Sequence, residues 1–86
     1  MYVPMTPELM ANGRDYFIRC TDSESGKQIR IIVSDVDCVA LRNQFGCDLI
    51  EITKHALHCA LSKGIKEGEV NVKDVYLDIT KSLKKT

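Results

Sequence analysis

The residues best able to do chemistry in this 86-residue chain are two histidines, four cysteines and the acids near them. Glu51 and His55 stand four apart, with His58 three further on. On a helix, residues four apart are surface neighbours, and His58 lies one turn on, about 60° round the axis from His55. Three such groups are a ligand set for zinc or nickel. The zinc helix motif, however, places two histidines four apart with a glutamate between them. Here no fourth ligand is apparent and the group falls on a solvated face. The spacing therefore predicts a polar helix face with no metal, Glu51, His55 and His58 being the remote metal candidates. Cys59 is four from His55, the spacing of a cysteine–histidine dyad. It sits at the edge of an apolar face, where a buried thiol is inert. The five glycines are isolated, and none opens a helix after a strand as a phosphate loop requires. No catalytic residue and no cofactor is predicted, so the chain is not expected to be an enzyme.

Cys20, Cys38, Cys47 and Cys59 are scattered, with no pair at the two-to-four-residue spacing of a structural zinc site. The start, Met1-Tyr2-Val3-Pro4, has no charged segment followed by an apolar run, as a signal peptide would. No apolar run approaches the ~18 residues of a membrane span. A cytoplasmic protein with four free, buried thiols is the expectation. Twelve basic and twelve acidic side chains give a formal charge of zero. That disfavours a protein held mainly by nucleic acid or anionic lipid. Residues 1–62 carry six basic and eight acidic groups, net −2, and the remainder is net +2. With 44% hydrophobic and 28% charged residues, the composition is that of an ordinary globular chain.

These groups need elements to hold them. In residues 1–14, expected as a weakly ordered segment, Thr6-Pro7 reads as a one-turn helix start that Asn12-Gly13 ends. Tyr16–Thr21 alternates, with Tyr16, Ile18 and Cys20 on one face. After a polar turn with Gly26, Gln28–Val33 alternates as well, with Ile29, Ile31 and Val33 on one face and Gln28, Arg30 and Ile32 on the other. Together they predict an antiparallel hairpin over 15–34. Ser34 with Asp37 caps a first helix that Gly46 stops. Its apolar residues fall on two stripes, Val36/Val39/Ala40 and Cys38/Leu41/Phe45, which predicts a helix sandwiched between partners. Asp48 with Glu51 caps a second helix to about Lys63, and Gly64–Glu69 reads as a charged connection. Asn71 caps a third helix to Lys84, with Leu77 off its apolar stripe. The fold class predicted is α+β in a single domain, 1–86: an antiparallel β-hairpin followed by three α-helices (35–84) packed on one face.

The order strand, short helix, glycine turn, longer helix over QIRIIVSDVDCVALRNQFGCDLIEITKHAL resembles the ribbon-helix-helix family of small dimeric DNA-binding proteins, antitoxins among them. The resemblance implies a strand that pairs across a dimer and enters the major groove. It would make Gln28, Arg30 and Ile32 the groove-facing residues and put Asp48 and Leu49 near a phosphate.

By exclusion, the favoured reading is a small non-enzymatic interaction or accessory module, a homodimer or the partner of another protein. Phe17, Ile32 and Leu77, apolar residues on otherwise polar faces, are the interface candidates. A dimer would close the sheet edge that a lone hairpin leaves open. A DNA-binding regulator is the alternative and a metal-binding protein the remote one; no membrane association is expected.

Overall fold

The computed structural model describes residues 1–85; Thr86, the last residue of the expected single domain, lies outside them. Nine elements follow one another: β1 (Tyr2–Pro4), β2 (Glu8–Leu9), β3 (Tyr16–Asp22), β4 (Gln28–Val33), α1 (Asp35–Phe45), α2 (Leu49–Ser62), β5 (Gly68–Asn71), a 3-10 turn (Val72–Val75) and α3 (Tyr76–Lys84). The hairpin forms as its alternation predicts, with Ile18 opposite Ile31 and Cys20 opposite Ile29.

The sheet has five strands where the hairpin alone was predicted. β1 and β2 both pair antiparallel with β3, and β5 pairs parallel with β4. The helices do not simply follow the strands, because β5 lies between α2 and α3. A parallel neighbour cannot be reached by a tight turn, so the chain between β4 and β5 crosses one face of the sheet, and α1 and α2 are that crossover. The one-turn helix read from Thr6 is corrected: Glu8–Leu9 is a strand. The two-residue pairing and an Asn12 side chain that accepts the amides of Arg14 and Asp15 fold this segment against β3 instead. The charged connection is corrected too, since its end pairs with β4 as Ile29–Gly68, Arg30–Glu69, Ile31–Val70 and Ile32–Asn71. β4 therefore has a neighbour of its own chain on each side, and the edge expected to be closed by a second subunit is closed by β5.

One core fills the space between sheet and helices. Ile18, Cys20, Ile29, Ile31 and Val33 from the strands meet Leu41, Ile52, Ala56, Ala60, Val72 and Ile79. All of these side chains are completely buried. Ser34 accepts the Asp37 amide to start α1, and Gly46, at φ 70°, stops it. Asp48 and Glu51 form the complete capping box of α2. Asn71 accepts the Lys73 amide as expected, but the chain first makes a 3-10 turn before α3 begins.

α1 departs from its sandwiched reading. It buries Cys38 and Leu41 with Phe45 packed beside them, while Val36 stays 74% and Val39 42% exposed. No described helix is long and apolar enough to cross a membrane.

Candidate interaction surface

β3 and β4 are the longest strands, and alternation gives them two unlike faces. One face enters the core. The other carries Phe17, Arg19 and Thr21 from β3 and Gln28, Arg30 and Ile32 from β4. The crossover helices occupy the first face, so the second is open.

Register decides what this open face displays. Phe17 lies directly opposite Ile32, making an apolar cross-strand pair of half-buried side chains. Directly opposed side chains are the closest contacts a sheet offers. Arg19 lies opposite Arg30, an arrangement of like charges that costs stability unless it is answered. Each flanking strand supplies the answer. Glu8 of β2 sits 3.3 Å from Arg19, and Glu69 of β5 sits 3.6 Å from Arg30. The Arg19 guanidinium also lies 5.3 Å from the centre of the Phe17 ring, within cation–π range. Thr21 accepts a hydrogen bond from the Gln28 amide at 3.2 Å and points its own hydroxyl at the Met5 sulfur, 3.7 Å away. Val3, opposite Thr21, completes the set.

Two apolar members of this surface escape a reading of the sequence. Val3 is 51% and Met5 53% exposed. Both belong to a stretch too short, and too interrupted by Pro4 and Pro7, to show strand alternation. Two of the three predicted interface residues, Phe17 and Ile32, are brought together. The third, Leu77, is 73% exposed on α3, in the helical layer, and belongs to a different surface. The groove-facing candidates Gln28, Arg30 and Ile32 also lie on the open face. Its two arginines are matched by two glutamates, so no basic stripe results.

The remote metal candidates are dispersed among other tasks. Glu51 reaches back to the Asp48 amide as half of the capping box. His55 Nδ1 is 2.8 Å from the Ser82 hydroxyl. His58 is exposed one turn away. Among the described residues no three His, Cys, Asp or Glu side chains converge to hold a metal ion.

All four cysteines are free and buried. Burial pushes the Cys20 thiol up to about 11. It raises Cys47 and Cys59 as well, burial being the largest cause in each, so these sulfurs are poor nucleophiles. Cys47 donates to the Leu41 carbonyl, while Arg42 reaches the Cys38 sulfur at 3.8 Å.

No protein-family model matches the chain, and no curated protein or solved structure matches it significantly.

Proposed function

We propose that the chain is a non-enzymatic, cytosolic interaction module that self-associates through the open face of its sheet. The observation that carries this reading is the Phe17–Ile32 pair, which lies beside the Arg19–Arg30 row at one end of a face with no helix over it. Val3 and Met5 add exposed apolar side chains further along the same face, opposite Thr21 and beside Arg19. Two sheets stack face to face at about 10 Å, a distance that side chains of this size fill. A chain of this length buries only about 60% of its unfolded surface, so a second copy enlarges a small core. Zero net charge means that two copies approach without long-range repulsion.

The non-enzymatic part is supported by the tasks already held by the reactive groups: Glu51 in a cap, His55 against Ser82, and the thiols buried. Free thiols also suit the reducing cytosol. Duplex DNA is the second reading, carried by Gln28 and Arg30 on the same face. Arg30 would have to give up Glu69 to take it.

Sedimentation over a concentration series tests the choice. The wild type should pass from monomer to dimer, and Phe17→Glu with Ile32→Glu should stay monomeric with an unchanged circular dichroism spectrum. A wild type that stays monomeric at millimolar concentration ends the self-association reading. Salt-sensitive binding to random duplex DNA by that monomer would install the DNA reading in its place.

A further inference from the structure

α2 and α3 pack side by side in the helical layer, away from the open sheet face. The seam between them is a groove of about 390 Å³, a size suited to a small ligand. His58 and Ser62 line it from α2, Lys81 and Ser82 from α3, and Lys85 from the residue that caps α3. An adjoining hollow of about 240 Å³ shares His58 and Ser82 and adds Lys54.

The charges here do not balance. Asp78 is the one carboxylate among the described lining residues, and it is held by Lys63 at 3.0 Å. Lys54, Lys81 and Lys85 have no ion pair among the described residues. Lys81 and Lys85 are four apart, so two like charges crowd one helix face. The helix dipole favours cations anywhere round the last turn. It does not require that both turn toward α2, where they meet two serine hydroxyls and an imidazole. Ser82 Oγ moreover lies 2.8 Å from His55 Nδ1; in the tautomer with the proton on Nδ1 the imidazole donates to Ser82, and the hydroxyl proton is left for a ligand.

We propose that the α2–α3 groove binds a small phosphate-bearing anion between Lys81 and Lys85, with His58 and the Ser82 hydroxyl completing the donor set. Ammonium groups serve phosphate as point charges, and hydroxyl and imidazole donors fix its orientation. Inorganic phosphate and a phosphomonoester present the same group to these donors.

The test titrates the intact, isotope-labelled protein with inorganic phosphate, pyrophosphate and a nucleoside monophosphate at constant ionic strength, following amide and imidazole signals. The expected result is saturable shifts confined to His58, Lys81, Ser82 and Lys85, with dissociation constants in the millimolar range or tighter. Equal affinity for phosphate and monoester means that the phosphate group alone is read; tighter binding of the ester adds a contact to its organic part. Lys81→Gln and Lys85→Gln, both surface changes, should each weaken binding, and together at least tenfold. Linear, unsaturated shifts, or the same shifts with sodium chloride, would overturn the site.

Discussion

Ile31 sits at the middle of β4, between β3 and β5, and is wholly enclosed. Truncation there removes methyl groups from a site hemmed in on three sides. Ile31→Ala should therefore cost about 2–5 kcal/mol, a large share of the ~4–13 kcal/mol available to a chain of this size. Urea denaturation reads it directly. Its neighbour on the open face is only half-buried, so under the proposed self-association Ile32→Glu should act mainly on the dimer. A polar residue with a structural task is Asp15. One carboxylate oxygen accepts the Asp35 amide at 3.0 Å, tying the start of β3 to the start of α1, and the other accepts from Asn12 at 2.8 Å. The backbone bond from Asp35 is the larger cause, and with Asn12 it holds this carboxyl below its ordinary value. A depressed folded-state pKa contributes stability above the unfolded value, near 3.9, and loses it as pH falls through the folded one. Asp15→Asn should accordingly flatten the decline of stability below about pH 4, as acid titrations monitored by circular dichroism will show. The apolar members of the core were legible from their alternation. Asp15 was not, because its partner is twenty residues away and only the folded chain joins them.

The elements that could be read in advance are those that carry their own signals. β4 runs over Gln28–Val33 as its alternation predicts. α1 lies between a Ser34 cap and a Gly46 stop, and α2 begins at a real capping box. Gly46 illustrates why such a stop is legible. Its left-handed φ of 70° is open to glycine and costly for other residues, although a methyl group there would meet nothing within 4 Å. Gly46→Ala should lower stability by about 1 kcal/mol through backbone conformation alone, measurable as a fall in the thermal midpoint without loss of structure. β5 could not be read, because one buried residue, Val70, is all that marks it. Its existence rests on pairing with β4, a contact made over some forty residues of intervening chain. That same strand removes the free edge on which a strand-paired dimer would have been built. β1 was hidden for a related reason: Tyr2, Val3 and Pro4 are too few to show alternation, and Pro4 is tolerated because the strand lies at the sheet's edge.

At the scale of the whole molecule, the sheet is covered by helices on one side and open on the other. Its outer strands, β1, β2 and β5, have three, two and four residues, too short to template growth by edge pairing. The open face pairs Phe17 with Ile32 and cancels two arginines against two glutamates, whereas on the helical face Lys54, Lys81 and Lys85 have no ion pair among the described residues. Zero net charge thus conceals two surfaces of different character, one balanced in charge and the other rich in lysine. Self-association through the sheet is tested most directly by mixing isotope-labelled and unlabelled protein and recording isotope-filtered nuclear Overhauser effects at dimer-forming concentration. Signals between copies should connect the Phe17 ring with the methyl groups of Ile32, Val3 and Met5. Intermolecular signals confined to Val36, Val39 or Leu77 on the helices, with none at Phe17, would contradict it.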